Sequence, residues 1–177
     1  VNGALQGRGW MAGQRAVFPS HGVVHLDSTA AILAAFGFSL GWKVTRAGLA
    51  LNRDFTVGVF LKGGKLLEVM AAIANSSVAQ LAQGRIDHRL LKNMEAYFKN
   101  AKIKTTHTGF SKKFKEFRGP ASDERFVLEG RTITVAAYFQ QRYGALQYPN
   151  ALTVNVGSRS KPVLIPAEMV EVSEFVG

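Results

Sequence analysis

Turn-forming residues divide the chain from Lys102 onward into mostly short segments. They fall at Gly109, Gly119-Pro120, Gly130, Tyr148-Pro149 and Gly157. Glycine and proline at such intervals are typical of strands joined by turns, because glycine tolerates positive φ and proline fixes φ. The spacing predicts a small, partly open β-barrel of the OB type with an inserted hairpin.

Three further segments carry helical signals. The first follows Gly63-Gly64 and places apolar residues at three- and four-residue spacing, at Leu66, Val69, Met70 and Ile73. The second begins after Asp87 and the third after Thr134, since either side chain can accept a backbone N–H at a helix N-terminus. We therefore predict an α+β class that is rich in strands.

The first 52 residues differ from the rest in their many glycines and short apolar runs. The runs 22–26 and 47–51 indicate strands, whereas the run 30–40 is apolar on all sides and suits a buried helix or a strand equally. We predict that residues 1–52 form a linker segment that packs on neighbouring domains, and that residues 53–177 form the main domain.

The net charge of +10 is concentrated in one region of the chain. The segment from Lys92 to Arg118 contains eight lysines and arginines but only two glutamates, a local net charge of +6. A clustered excess of positive charge attracts polyanions through counterion release. A solvated basic face without a ligand is the plainer interpretation of such a run taken alone.

Composition also bounds the compartment and the chemistry. There is no cysteine and no uninterrupted apolar run of about 18 residues. We expect an intracellular protein without membrane association, in the cytoplasm, with the nucleus as the alternative compartment. The chain begins with Val1, which we interpret as the start of an excised fragment. His21 and His25 are four residues apart, but no third ligand lies nearby, so we expect neither a metal site nor a cofactor.

Four segments together resemble one known family. They are KIKTTHTGFSKKFKEF (102–117), PASDERFVL (120–128), TVAAYFQQRY (134–143) and SRSKP (158–162). In this order they resemble the PAZ domain of the Argonaute/Piwi superfamily. Upstream, AGLALNRDF (47–55) resembles the end of the linker that precedes PAZ in Argonautes, which favours the Argonaute clade.

The resemblance implies an OB-like barrel that faces an inserted α/β module across a cleft. It also implies that the cleft anchors the 3′ end of a single-stranded small guide RNA, within a parent protein that has other domains. Stacking on a terminal base falls to Phe126, and phosphate binding to histidine, lysine, tyrosine and arginine side chains. The implied site is His107, Lys112, Lys113, Phe114, Phe126, Tyr138, Arg142, Tyr143, Lys161 and Ile165.

The chain departs from the family pattern at one place. The family's phosphate-binding tyrosine aligns with Phe114, which has no hydroxyl, and its arginine aligns with Lys112 or Lys113. Lysine keeps the charge but lacks the planar fork of arginine. A core position is the alternative for Phe126, as it is for most phenylalanines.

The departures from the family pattern, and the other proteins that contain this domain, leave two alternative functions. One is a PAZ-fold structural or interaction module with weakened RNA binding, and the other is the PAZ domain of a Dicer-type ribonuclease, which the Argonaute-like linker disfavours. No paired carboxylates, Gly-rich phosphate loop or nucleophile–base pair stand out. RNA cleavage belongs to the PIWI domain in this family, so we expect no enzymatic activity.

Overall fold

The computed structural model describes residues 10–12, 16–19, 23–25, 32–83, 86–99 and 101–173. The chain forms two compact units that divide between Lys62 and Gly63. The linker boundary predicted after residue 52 falls within the last strand of the first unit. None of the helices in the described ranges is long and apolar enough to cross a bilayer.

The first unit is an antiparallel sheet. Its strands are β1 (Trp10–Ala12), β2 (Val17–Pro19), β3 (Val23–His25), β4 (Ile32–Thr45) and β5 (Gly48–Leu61). All fourteen residues of β4 pair with β5, and the other edge of β4 pairs with β2 and β3. The apolar run 30–40 is therefore strand from Ile32 onward, because its backbone groups find partners on both edges.

The outer part of the β4–β5 pair, residues 36–57, has one apolar face; we call it the ribbon. Directly opposed residues of an antiparallel pair share a face. One face joins Phe36 to Val57, Phe38 to Phe55, Leu40 to Arg53 and Trp42 to Leu51, whereas the other joins Ser39 to Asp54 and Gly41 to Asn52. Most apolar members of the first face are exposed, Trp42 by 69% and Phe55 by 82%.

The second unit combines four α-helices, nine strands and a 3₁₀ turn within its described residues. The helices are α1 (Leu66–Ala74), α2 (Val78–Leu81), α3 (His88–Phe98) and α4 (Val135–Tyr143), and residues Ala167–Met169 form the 3₁₀ turn. The strands are β6 (Gly64–Lys65), β7 (Lys102–Thr105), β8 (Ser111–Lys113), β9 (Glu116–Pro120), β10 (Arg125–Leu128), β11 (Arg131–Thr134), β12 (Leu152–Asn155), β13 (Leu164–Pro166) and β14 (Val170–Val172).

Two sheets make the body of this unit, in the orders β6-β14-β7-β8 and β13-β12-β9. The described strands do not close into a full barrel. The β10–β11 hairpin and α4 are inserted between β9 and β12, and the hairpin turns through Glu129 and Gly130 at positive φ, as a two-residue turn of type I′ requires. The predicted α+β class, partly open OB-like barrel and inserted hairpin module are confirmed.

Local signals placed the helices correctly. The side chain of Asp87 accepts a hydrogen bond from the N–H of Arg89, and Thr134 Oγ1 accepts one from the N–H of Ala137 at 3.1 Å. The turn predicted at Gly119-Pro120 in fact follows these two residues, at positions 121–123. Both residues are the last two of β9, where Pro120 lies opposite Leu152. Proline has no backbone N–H to donate, and this is tolerated at the end of a strand.

Candidate functional site

A cleft of about 480 Å³ lies within the second unit. This volume is within the range of small-molecule pockets, roughly 300–1,000 Å³. Its walls come from the turn after β7, from β8 and β9, from β10 with the residue before it, from α4, and from residues 156–165. The inserted module and the barrel sheets therefore both contribute side chains to one concave surface.

A continuous series of aromatic rings forms one wall of this cleft. It runs from Phe126 on β10 through Tyr138, Phe139 and Tyr143 on α4 to His107 on the β7–β8 turn. Neighbouring ring centroids are 4.7–5.6 Å apart, mostly edge to face. Phe139 is buried, whereas Phe126 and Tyr138 are half-buried. The helix cap at Thr134 fixes where α4 begins and thus which side chains reach the wall.

His107 follows β7 in a turn with a fixed backbone. The N–H of Gly109 donates to Thr105 O at 2.7 Å, and the N–H of Thr106 donates to Met169 O at 2.9 Å. Nδ1 of His107 is buried and has no hydrogen-bond partner among the described residues. Burial lowers the pKa of His107 below its ordinary value of 6.5, so the ring is neutral at pH 7 and can accept or donate one hydrogen bond.

Positive charge predominates among the ionisable residues of the cleft. Lys112, Arg118 and Arg125 line it, against a single carboxylate, Glu124. The Glu124 carboxylate accepts the N–H of Gly119 at 3.0 Å and so holds the end of β9. Arg118 Nε donates to Glu116 at 2.9 Å, which leaves its terminal nitrogens available.

Six of the ten predicted site residues line the cleft. They are His107, Lys112, Phe126, Tyr138, Tyr143 and Ile165. Phe126 is only half-buried, so the core position we considered for it does not hold. Ile165 is buried and lies opposite Val154 in the β12–β13 pair.

Strand alternation explains why Lys112, and not Lys113, faces the cleft. Lys112 lies opposite the buried Ile103 in the β7–β8 pair, so it shares the inner face of the sheet. Lys113 has the opposite orientation and lies opposite Lys102. Alternation continues to Phe114, which is 1% exposed and packs in the core against Phe98 and Phe117. Phe114 therefore does not line the cleft, contrary to its place in the predicted set.

Arg142 and Lys161 also lie outside the cleft lining. Arg142 is exposed on the last turn of α4, where a cation is favourable for the helix dipole. Lys161 is exposed in the loop 157–163, which is held by the buried Asn155. The side-chain oxygen of Asn155 accepts the N–H groups of Gly157 and Val163 at 2.9 and 3.1 Å.

Sequence reasoning missed several cleft residues, notably Phe110, Arg118 and Arg125. Phe110 lies in the turn before β8, and Arg118 and Arg125 are exposed residues of short strands, so no sequence pattern singled them out. The described residues contain no group of three or more potential metal ligands. His21 lies outside the described residues.

Comparison with known proteins places these features in a family. The PAZ domain model matches residues 67–176. Protein argonaute 14 of Oryza sativa subsp. japonica is 29% identical over 147 residues, which cover 78% of this chain and 14% of that protein. The fold matches the crystal structure of a Drosophila Argonaute PAZ domain in complex with 3′-end 2′-O-methylated RNA, with a TM-score of 0.55 and 21% identity over 64% of this chain and all of that one. It also matches Kluyveromyces polysporus Argonaute with a guide RNA, with a TM-score of 0.57 and 18% identity over 93% of this chain and 21% of that one.

Proposed function

This chain belongs to the PAZ domain family, and on that premise we propose that its cleft binds the 3′ end of a single-stranded small guide RNA. One observation carries the proposal: the same cleft joins an aromatic wall to three cations, Lys112, Arg118 and Arg125. Bases that are splayed out of a single strand stack on aromatic rings, while the phosphates need cations and hydroxyl donors. The Drosophila Argonaute PAZ domain that was solved in complex with 3′-end 2′-O-methylated RNA supports the same ligand.

Each wall has a distinct role in this proposal. Phe126 stacks on the terminal base, beside the half-buried Tyr138. The Lys112 ammonium, the hydroxyls of Tyr138 and Tyr143, and the imidazole of His107 bind the phosphate that joins the terminal nucleotide to the penultimate one. Ile165 supplies apolar contact to the sugar. Lys113, Arg142 and Lys161, outside the lining, attract the RNA over a longer range.

A structural or interaction module with weakened RNA binding is the second candidate. Its specific support is that Phe114 brings no hydroxyl and lies in the core, and that Arg142 is outside the cleft lining. A Dicer-type parent is disfavoured, since the curated relative reported above is an Argonaute protein.

The chain spans 14–16% of the length of several curated relatives, so the properties of the whole protein are inferences. We infer that residues 1–52 serve as the linker to other domains of an Argonaute-like parent. We also infer a cytoplasmic location, with the nucleus as a second compartment, and no nuclease activity in this chain.

Fluorescence anisotropy with matched oligonucleotides tests the proposal. A linear single strand and a duplex with a two-nucleotide 3′ overhang should bind more tightly than a blunt duplex. A circular single strand of the same sequence is the sharper control, because it offers the same bases and charge without an end. Equal affinity for the linear and circular strands would contradict end recognition and would favour the second candidate or a nonspecific basic surface.

A further inference from the structure

Phe110 is an aromatic residue of the cleft that the proposed site does not use. It lines the cleft, yet it is 67% exposed. The other aromatic residues of the cleft contact one another, whereas Phe110 has no ring contact among the described residues. Most of the surface of Phe110 is thus accessible to a ligand.

The backbone beneath this ring is held in place. The carbonyl of Phe110 accepts hydrogen bonds from the N–H and from Oγ1 of Thr105, at 3.1 and 3.2 Å. Thr105 is 2% exposed and its hydroxyl also contacts that of Thr108 at 2.6 Å. Gly109, at φ +71°, allows the tight turn. Because this backbone is already held, a ligand that covers the ring has to order only the side chain and not the turn that carries it.

The surroundings of Phe110 favour a nucleobase over an apolar partner. Lys112 lies two residues along the chain and lines the same cleft as Phe110. Arg118 and Arg125 line the same cleft. An exposed ring beside cations is the combination that single-stranded nucleic acids bind, one element for the base and the other for the phosphate.

We propose that Phe110 forms a second base subsite, at the exposed side of the cleft, which stacks on the penultimate base of the RNA. This rests on the proposed function, with Phe126 taking the terminal base. The cleft then binds two unpaired nucleotides, and Lys112 lies beside the phosphate that joins them. Affinity should therefore depend on the last two bases being present and free to unstack from a duplex.

A double-mutant cycle between protein and RNA tests the subsite. Phe110→Ala is measured by anisotropy against three single strands that are intact, abasic at the penultimate position, or abasic at the terminal position. On intact RNA the substitution should weaken binding about 5- to 150-fold, the range for loss of one stacked base. On RNA that is abasic at the penultimate position it should have little effect, whereas on terminally abasic RNA it should keep its full effect.

Matched variants complete the design. Phe110→Trp should retain affinity because it keeps a stacking surface, and Phe126→Ala should show the reverse dependence on the two abasic strands. Since Phe110 is exposed, Phe110→Ala should leave the Tm unchanged. An equal loss on all three strands, or no loss on intact RNA, would overturn the second subsite. If wild-type protein fails to distinguish linear from circular RNA, the proposed function fails instead, and the two failures are separable.

Discussion

Two aromatic clusters of the second unit use the same ring geometry in different surroundings. Phe98, Phe114 and Phe117 pack with centroids 4.8–5.8 Å apart and are at most 5% exposed. The cleft rings have similar spacing, but they include two tyrosines and a histidine and leave their polar atoms near a concave surface. Ring contact alone therefore does not mark a binding site; the hydroxyls, the nearby cations and the open space distinguish the cleft from the core.

The comparison is clearest for two phenylalanines that the family resemblance assigned to one site. Phe114 directly follows β8 and points into the core, whereas Phe126 lies on the hairpin of the inserted module and lines the cleft. Because Phe114 is buried, it stabilises the fold, whereas the partly exposed Phe126 is available to a ligand.

Phe114→Ala should have the largest effect of any change proposed for these clusters. Removal of a fully buried ring leaves a cavity and should lower the free energy of unfolding by about 3–5 kcal/mol. Phe126→Ala, the matched control, should cost only about 1 kcal/mol, since it loses one exposed-side ring contact. Urea denaturation checks both. Equal losses would erase the distinction between the core cluster and the cleft cluster.

Phe126→Ala should instead act on RNA affinity. Loss of one stacked base should cost about 1–3 kcal/mol of binding free energy, measured by anisotropy below the melting temperature of the variant. The double change Tyr138→Phe with Arg142→Ala should also weaken binding, and it deletes little buried surface. RNA affinity that survives both variants would show that this wall is not the binding surface.

Lys112→Ala and Lys113→Ala form a matched pair that sharpens the comparison within one strand. Only Lys112 faces the cleft, so its loss should remove one phosphate contact and reduce the salt slope of log K by about 0.7. Lys113→Ala should change the slope less. Titrations at several salt concentrations give both slopes; a larger change for Lys113 would contradict the observed strand orientation.

His107 should produce the smallest effect, a pH dependence of stability. Burial lowers its pKa in the folded state, so the unfolded chain binds the proton more readily. The contribution of neutral His107 to the free energy of unfolding is complete above the unfolded-state pKa near 6.5. It is lost as the pH falls toward the lowered pKa of the folded state. We therefore expect the free energy of unfolding of the wild type, measured by denaturation, to fall relative to that of His107→Gln as the pH is lowered from 7.5 to 5.5. A flat difference would contradict the burial of this ring.

Local chemistry made much of the fold predictable. The caps at Asp87 and Thr134 and the spacing from Leu66 to Ile73 placed three helices, and Gly130 placed the hairpin turn. The run 30–40 could not be assigned, since its strand state depends on pairing with β5, which periodicity does not report. Pro120 was misplaced because a proline also suits the end of a strand.

The site was predictable only in part. The family resemblance identified six lining residues, but it could not choose between Lys112 and Lys113, because that choice depends on the pairing with Ile103. Phe110, Arg118 and Arg125 were missed, since Phe110 lies in a turn and exposed side chains on short strands leave no periodic signal. Their selection follows from where β8, β9 and β10 meet around the cleft.

In the ribbon of the first unit, odd-numbered and even-numbered residues of β4 lie on faces of different chemical character. Thr45 and Gly48 close the hairpin around a two-residue turn, and from there every even-numbered partner in β4 belongs to the apolar face. Loss of one residue from either strand would exchange the two faces beyond that point, whereas loss of two would preserve them. A deletion of residues from this segment should therefore keep the apolar face continuous only when it removes an even number of them from a strand.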